Sequence, residues 1–430
     1  MATAAPAVEK DYFTDHSVLL DPYDYFEQIR VHGPVYQMQS RDVLVVTGFA
    51  EAVEVLLNKR DFSSWLNPDP LVRLPFAVEG DDISALLEAH PSGEMELMVS
   101  YDGDKHAAAR SLLNPLFTPS RLKANEAFMR SYADAMVRDV VAAGGCELVN
   151  KVATPFVTMV IADLLGVPAD DREAFRQLID SAPPPGNMDT PEGQSVHPLM
   201  VMAGYFARYI AERRAQPQDD VMTEMAAALY PDGSTPDAME VVKSAMFLFA
   251  AGQDTSAKLI GNALRRLCED QDLQQSLRED RKLIGPFLEE VLRIEGSTKA
   301  TFRIAARTTR IGDMEVPAGK RVVVSLSAAN RDPRRWDDPN SFRIGRPKIK
   351  EHVAFGRGAH TCAGAPLARA EVAVILDRFL EHTSAITLDE AHHGPAGDRT
   401  IAYEPSFIIR GLAELHVNFA PALHASTSSA

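Results

Sequence analysis

Cys362 is the residue whose surroundings most clearly suggest chemistry. It lies in the stretch AFGRGAHTCAGAP, with glycines at 356, 358 and 364, and a helical pattern follows from Pro366. A cysteine just before a helix N-terminus meets free backbone N–H groups and the positive end of the helix dipole, which favour thiolate over thiol. Because glycines let a backbone turn sharply and approach a flat, bulky group, the stretch predicts a thiolate bound to a metal inside a macrocycle. A buried, inert cysteine in a glycine-rich turn fits the same residues.

A carboxylate and two hydroxyls interrupt the longest predicted helix. Its pattern begins with Thr235 as N-cap and continues to about Cys268, roughly 50 Å at ~1.5 Å per residue. The centre, AMFLFAAG, is apolar all round, which is typical of a helix buried on every side. Asp254 and Thr255 follow at once within GQDTS. Polar residues at buried helix positions break the local rules, and such breaks are typical of functional sites.

Two pairs of charged residues share predicted helix faces. Glu290 and Arg293, in FLEEVLRIEG, form either a surface ion pair of little value or a buried pair that fixes a neighbouring loop. Arg346, in the irregular segment ANRDPRRWDDPNSFRIGRP, could complete a triad with them. His106 and Arg110 lie one helical turn apart and suit a carboxylate or phosphate, although a solvated helix face is the more common explanation of such a pair.

The elements that position these residues are mainly helical. Helical patterns dominate from Lys105 to about Leu292, interrupted by the proline- and glycine-rich connection SAPPPGNMDTPEGQ. Alternating runs GPVYQM and VLVVTG predict a hairpin near the start, and RTTRIGDMEV predicts another that turns at Gly312. KRVVVSL predicts a strand, and SFIIRGLAELHV predicts a last hairpin that turns near Gly411. No internal repeat or glycine–serine linker divides the chain.

Composition limits the classes of function. The chain has 430 residues, 46% of them hydrophobic, and a formal charge of −16, which argues against nucleic acid and anionic membrane surfaces as partners. Its three cysteines show no paired spacing, so neither a disulfide framework nor a zinc motif is expected. We find no signal peptide and no apolar run of 18 residues, and we expect a cytoplasmic protein without a membrane span. The prediction is a single domain over 1–430, mainly α with small β-sheets, with flexible tails at about 1–15 and 421–430.

In their order along the chain, the four motifs resemble those of one family. F-G-x-G-x-H-x-C-x-G from Phe355, A-G-x-D-T-S from Ala251, E-x-x-R from Glu290 and H-x-x-x-R from His106 are similar to the motifs of bacterial, soluble cytochromes P-450, the haem-thiolate monooxygenases. The resemblance covers about residues 21–417. It implies the cytochrome P-450-type fold, with haem b (iron protoporphyrin IX) between the long central helix and the helix that follows the cysteine loop.

The resemblance implies a role for each motif residue. Cys362 is expected to be the thiolate ligand of the haem iron, within a loop in which Gly356 and Gly364 allow close approach and Phe355 shields the proximal haem face. Cationic side chains are expected to hold the two haem propionates, because burial of a carboxylate requires a compensating charge. These side chains are His106, Arg110, Arg303 and His360. Glu290, Arg293 and Arg346 resemble the fold-locking triad beneath the haem.

Asp254 and Thr255 match the acid–alcohol pair on the distal side of the haem. Monooxygenation consumes two protons, and a hydroxyl at Thr255 together with a carboxylate at Asp254 could relay them from solvent. The alternative is a water-filled kink of the helix with no relay role.

The expected substrate pocket departs from that of common relatives in one wall. Ser297 and Thr298 stand where many relatives have a Pro-Val pair, and Lys299 follows them. Lys299 could pair with a substrate carboxylate or extend outward to solvent. The stretch from Phe247 to Ala251, residues 297–300, Phe407, loop 62–100 and the lid-like connection 183–198 are expected to form a pocket for a mainly apolar terpenoid, steroid, fatty acid or aromatic molecule.

The expected reaction is oxygenation of a small apolar molecule by dioxygen, with electrons from a ferredoxin or flavodoxin and an NAD(P)H reductase. The electron donor is expected to dock on the cysteine side near Arg110, Arg121 and Arg369. Three alternatives stay open: a peroxide-driven peroxygenase, a non-catalytic haem sensor of gases or ligands, and a cysteine hydrolase in which His360 would serve as the base.

Overall fold

The computed structural model describes residues 8–67, 69–92, 96–180 and 198–422. The predicted connection at 183–197 lies outside these residues. The helices are α1 His16–Leu20, α2 Tyr23–Arg30, α3 Phe49–Leu57, α4 Ser84–Ala89, α5 Gly103–Ser111, α6 Pro119–Ala142, α7 Thr154–Leu164, α8 Ala169–Asp180, α9 Pro198–Ala215, α10 Val221–Ala226, α11 Ala238–Cys268, α12 Gln271–Glu279, α13 Ile284–Glu295, α14 Leu326–Ala329, α15 Ala365–His382 and α16 Glu390–His393. The strands are β1 Val35–Gln37, β2 Val43–Val46, β3 Phe62–Ser63, β4 Gly145–Glu147, β5 Ala300–Ala305, β6 Thr309–Ile311, β7 Met314–Val316, β8 Arg321–Ser325, β9 Thr383–Leu388 and β10 His416–Pro421.

Helix α11 is the central element of the helical core. It packs against α7, α9, α13 and α15, and its 31 residues span about 46 Å. The helix begins later than the sequence predicted. Asp237, not Thr235, is the N-cap, because its carboxylate accepts a hydrogen bond from the Met239 N–H. Arg265 and Arg266 lie in the last turn, where positive charge complements the helix dipole.

The sheets are small and lie beside the helical core. A five-stranded sheet has the order β1-β2-β8-β5-β3, in which β2 pairs with β8 in parallel and the other neighbours are antiparallel. The predicted first hairpin is confirmed as β1–β2, and the hairpin that turns at Gly312 is confirmed as β6–β7. Strands β4, β10 and β9 form a third, antiparallel sheet.

The predicted last hairpin folds back on itself, but its turn is not at Gly411. Residues 402–404 pair with residues 411–413 through an antiparallel bridge between Tyr403 and Leu412. Between them, the Ser406 hydroxyl accepts hydrogen bonds from the N–H groups of Ile408 and Ile409 and bends the chain. The backbone of residues 408–410 also pairs with residues 297–299, since the Arg410 N–H donates to the Ser297 carbonyl at 2.7 Å. This pairing places the C-terminal segment against α11.

The N-terminal segment is also more ordered than expected. A flexible tail up to residue 15 was predicted, but Tyr12 and Phe13 are buried. The Tyr12 hydroxyl donates to the Phe407 carbonyl at 2.6 Å, and the Phe13 and Phe407 rings pack edge to face with centroids 5.3 Å apart. Strand β10 extends the ordered chain to Pro421. Among the helices of the described ranges, none combines the length and apolar composition needed to cross a membrane.

Candidate active site

A cavity of about 440 Å³ lies between α11 and the start of α15. Its wall is mainly apolar, and it brings together residues that are more than 250 positions apart in the sequence, such as His106 and Cys362. Predicted site residues in the wall are His106, Arg110, Phe247, Ala251, Thr255, Ser297, Thr298, Arg303, Phe355, Gly356, His360, Cys362 and Gly364. The cavity therefore collects the cysteine loop, the candidate alcohol and the cationic group in one place.

Tight turns hold the cysteine loop in place. The Cys362 N–H donates to the Phe355 carbonyl at 2.9 Å and closes the loop. Gly356 and Gly358 have φ values of +67° and +76°, which L side chains rarely adopt. At Gly358 a Cβ would also lie 2.6 Å from the Leu56 carbonyl oxygen, so the backbone of the loop packs directly against the end of α3. Gly364 has an ordinary φ of −79° and serves as the N-cap residue of α15.

The Cys362 sulfur lies at the N-terminus of α15, as predicted. Burial raises the pKa of the Cys362 thiol, while the backbone N–H groups of Gly364 and Ala365 and the charge of Arg110 lower it. These donors are arranged to stabilise an anionic sulfur, and the Cys362 side chain is exposed toward the cavity, where a metal cation would complete its surroundings. The Phe355 ring beside the sulfur carries the Arg369 guanidinium at 4.6 Å from its centroid.

Four basic side chains gather at the cavity wall. The His106 and His360 rings are 4.0 Å apart between centroids, and His360 Nε2 lies 3.8 Å from a carboxylate oxygen of Asp102. Burial and the neighbouring charges of His360 and Arg110 lower the pKa of His106 to about 4. Burial likewise lowers the pKa of Arg303 to about 10. The structure thus places four groups that can carry positive charge side by side in a poorly hydrated space.

This basic group fits an anionic cofactor. Arg303 is almost fully buried, and its guanidinium donates to the carbonyl of the preceding residue, Phe302, and to the Thr301 hydroxyl. Within the described residues, neither Arg303 nor Arg110 forms an ion pair with a carboxylate. A buried guanidinium without a counter-ion is unfavourable, and two carboxylates at the edge of a flat macrocycle would supply the missing charge. The residues present therefore fit haem b, with Cys362 as the iron ligand and the basic group at the propionates.

The predicted triad forms a fully buried ion-pair cluster. Arg293 donates to both carboxylate oxygens of Glu290 at 2.7 and 2.9 Å, and Arg346 donates to the same carboxylate at 3.1 Å. Arg293 also donates to the carbonyls of Asn330, Pro339 and Ser341, so it fastens the irregular segment to α13. His352, at the end of that segment, contacts Glu289 of α13 at 3.2 Å and leads into the cysteine loop.

The acid and the alcohol lie next to each other on α11, and only the alcohol lines the cavity. The Thr255 hydroxyl donates to the Ala251 carbonyl at 2.9 Å within a continuous helix. A Cβ at Gly252 would lie 2.7 Å from Ile161 Cδ1, so the end of that side chain would have to shift to accept a larger residue. Burial raises the pKa of Asp254, and one of its carboxylate oxygens is buried with no hydrogen-bond partner among the described residues.

Two predicted pocket residues do not line the cavity. Lys299 points away from it, and its ammonium donates to the carbonyls of Leu19 at 2.5 Å and Ser406 at 2.6 Å. Both alternatives given for Lys299, pairing with a substrate carboxylate and extending outward to solvent, are therefore wrong, because the side chain is buried against these two carbonyls. Phe407 packs in the N-terminal aromatic cluster with Phe13 and Phe302 instead. Neighbouring Ile408 and Ile409 reach the cavity in its place.

Glu371 is a cavity residue that the sequence prediction missed. It lies on α15, one turn after Leu367, and is almost fully buried. Burial raises its pKa to about 8, and a hydrogen bond with Ser256 of α11 lowers it. The sequence did contain a signal for Glu371, because it is a carboxylate on the otherwise apolar face of α15. Ile161 and Leu292 are further wall residues that were missed, whereas Leu97, Met98, Val99, Leu248 and Ala300 lie in the segments that the sequence predicted for the pocket.

The three arginines proposed for docking differ in their surroundings. Arg110 lines the cavity. Arg121 forms an ion pair with Glu224 at 2.5 Å, and Arg369 forms one with Glu289 at the same distance. Local carboxylates therefore offset two of the three charges.

Comparison with known proteins agrees with this geometry. A family model described as cytochrome P450 matches residues 30–395. Cytochrome P450 monooxygenase PikC of Streptomyces venezuelae is 30% identical over 423 residues, which cover 97% of this chain and 95% of the relative.

Solved structures show the same fold over nearly the whole chain. Cytochrome P450 CYP150A6 of Mycobacterium marinum, in the substrate-free form, aligns with a TM-score of 0.89 and 45% identity, covering 96% of this chain and 99% of that one. CYP109E1 of Bacillus megaterium, in complex with corticosterone, aligns with a TM-score of 0.79 and 27% identity, covering 94% of this chain and 99% of that one.

Proposed function

Because the chain belongs to the cytochrome P450 family, whose members are haem-dependent monooxygenases, we propose that it oxygenates a neutral, mainly apolar molecule of steroid size. The observation that carries this proposal is the wall of the cavity beside Cys362. The wall is mainly apolar and includes Ser297 and Thr298. It does not include Lys299, whose ammonium donates to the Leu19 and Ser406 carbonyls instead.

The cofactor supplies the reactivity and the chain supplies its environment. Haem held by a cysteine thiolate activates dioxygen and transfers one oxygen atom to carbon. Cys362 would hold the iron, and the N–H groups of Gly364 and Ala365 would stabilise its sulfur. Arg303 and His106 orient the macrocycle through its propionates, and the apolar wall excludes water from the reacting carbon.

Proton supply is assigned to the acid–alcohol pair. Thr255 lines the cavity, and its hydroxyl would receive a proton from Asp254 through water and pass one on into the cavity. Asp254 suits this role because burial raises its pKa and makes it a better proton donor near neutral pH.

The substrate class follows from the charges around the pocket. Cationic wall residues belong to the propionate group or, like Arg357, to the cysteine loop, where Arg357 donates to the Glu351 carbonyl. A fatty acid would therefore find no separate cation for its carboxylate in the described wall. CYP109E1, which shares the fold, was solved with a steroid. A rigid steroid-like skeleton with one or two hydroxyl or carbonyl groups matches the apolar wall and its two hydroxyls.

Electrons are assigned to a ferredoxin or flavodoxin served by an NAD(P)H reductase. The partner would approach the cysteine side of the molecule, where Arg369 stacks on Phe355 next to the sulfur. Because Glu289 offsets the Arg369 charge, we expect only a modest dependence of electron transfer on ionic strength.

Ligand titration of the haem-loaded protein tests the substrate proposal. Corticosterone and palmitic acid are titrated separately, and the shift of the Soret absorption reports displacement of the iron-bound water. We expect corticosterone to bind at least about tenfold more tightly than palmitic acid, because a buried carboxylate without a counter-ion is strongly disfavoured. Tighter binding of palmitic acid would refute the neutral-substrate proposal. Lys299→Met should leave both affinities unchanged.

A further inference from the structure

Two carboxylates share one lysine beside the proposed proton relay. Lys258 lies one turn after Asp254 on α11, and its ammonium is 3.7 Å from an Asp254 carboxylate oxygen. The same ammonium forms a closer ion pair with Glu404, in the segment between α16 and β10. The side chain of Lys258 is 7% exposed, whereas those of Asp254 and Glu404 are 23% and 20% exposed. Solvent can therefore reach both acids, and the buried lysine lies between them.

The packing of Lys258 shows that its position is specified by the fold. Its stem crosses the backbone of Gly411, where a Cβ would lie only 2.0 Å from the Lys258 Cδ. The Glu404 N–H donates to the Gly411 carbonyl at 3.0 Å, so the acid and the glycine are held together. Any larger residue at 411 would push the lysine out of the space between the two carboxylates.

The cluster carries one positive charge for two acids. Both Asp254 and Glu404 have a buried carboxylate oxygen without a hydrogen-bond partner in the described part of the chain. Burial raises the pKa of both acids and Lys258 lowers it, while the charge of Asp254 raises the pKa of Glu404 further. Among the described residues, no charged group outside this three-residue cluster contributes to either shift.

The distances from the Lys258 ammonium to the two carboxylates show which acid it pairs with more closely. The ammonium makes a hydrogen bond to Glu404 but stands 3.7 Å from Asp254, beyond hydrogen-bond range. Glu404 therefore draws the compensating charge toward itself and leaves Asp254 less neutralised. A carboxylate that is less neutralised in a buried site holds a proton more readily.

We propose that Glu404, through its ion pair with Lys258, is a positioning residue that controls the protonation of Asp254 and, with it, proton delivery at Thr255. This inference rests on the proposed relay. It predicts opposite effects for the two members of one ion pair. Without Glu404, the lysine turns to Asp254 and stabilises its charged form. Without Lys258, the charged form of Asp254 loses its only nearby cation among the described residues.

Infrared pH titration of the haem-loaded protein, labelled with isotopic aspartate, tests this directly. The carbonyl stretch of protonated Asp254 is identified as the band that Asp254→Asn removes. We expect Lys258→Met to raise the titration midpoint by about one to three pH units and Glu404→Gln to lower it by about one unit. Lys243→Met is the matched control, since that lysine lies on the same helix and pairs with Glu240 at 3.0 Å. It should leave the midpoint unchanged.

Shifts in the same direction, or no shift, in Lys258→Met and Glu404→Gln would overturn the inference, because a purely structural ion pair gives no opposed pair of shifts. Oxygen consumption driven by NADPH, a ferredoxin and its reductase, with corticosterone as probe, is measured over the same pH range. Its pH profile should move with the infrared midpoint in each variant. If Asp254→Asn leaves oxygen consumption unchanged while the opposed infrared shifts remain, the relay fails and the control of Asp254 by Glu404 stands.

Discussion

Replacing Arg293 with methionine should be among the most damaging single changes outside the cysteine loop. The guanidinium is fully buried and makes two hydrogen bonds to Glu290 and three to backbone carbonyls of the irregular segment. Methionine fills similar volume but leaves the Asn330 and Pro339 carbonyls without their Arg293 donor, while the Ser341 carbonyl keeps its hydrogen bond from Arg346. Breaking a buried ion pair costs about 3–5 kcal/mol. Because Arg346 still contacts Glu290 at 3.1 Å, we expect the lower end, about 3 kcal/mol.

Urea unfolding of the haem-loaded protein measures this cost, with the Soret band and far-ultraviolet circular dichroism followed together. Arg130→Met is the matched control: Arg130 is about half exposed and pairs with Glu126 and Asp377 at the surface. An exposed pair of this kind is worth at most about 1 kcal/mol. Arg293→Lys should recover part of the loss, since it keeps the charge but not the forked geometry. If Arg293→Met destabilises no more than Arg130→Met, the cluster does not fasten the segment that leads to the cysteine loop.

Three further variants test separate parts of the account. Arg303→Met should speed haem transfer to apomyoglobin by roughly ten- to a hundredfold, because a charge-assisted hydrogen bond of about 1.5–3 kcal/mol to a propionate is lost, and an unchanged transfer rate would exclude that contact. Thr255→Val should lower the product formed per NADPH by roughly tenfold or more and raise hydrogen peroxide release; full coupling in this variant would remove Thr255 from the relay. Burial, and then the charge of Arg410, lower the pKa of Lys299 from 10.5 to about 7, so between these values the unfolded chain binds a proton that the folded chain does not. As the pH increases through this window, the free energy of unfolding of the wild type should rise by about 1.4 kcal/mol per pH unit relative to that of Lys299→Met. Urea unfolding at several pH values measures this, and an equal pH dependence of the two proteins would contradict a buried neutral amine.

The parts of the site that the sequence predicted are those encoded by local patterns. The cysteine loop, the polar interruption of α11 and the ExxR helix are short motifs whose spacing fixes their geometry, and the structure places the first two around one cavity. The fold class was predictable for the same reason, since long helical periodicities and short alternating runs require few assumptions.

The errors concern the direction of side chains in extended segments. Lys299 follows two pocket residues, but its ammonium contacts carbonyls 280 and 107 positions away, and no local pattern encodes those partners. Phe407 was placed in the pocket, whereas its neighbours Ile408 and Ile409 reach it because Ser406 bends the chain. The role of Glu404 depends on a contact with Lys258 across 146 positions and was equally invisible in the sequence.

The central claim is that the Cys362 sulfur binds the haem iron, and iron X-ray absorption of the purified protein tests it most directly. We predict one sulfur neighbour of the iron in the wild-type protein and none in Cys362→His, in which a histidine nitrogen can bind the iron at the same position. Circular dichroism confirms that the variant is folded. A wild-type spectrum without a sulfur neighbour, or a sulfur neighbour that persists in Cys362→His, would contradict the account.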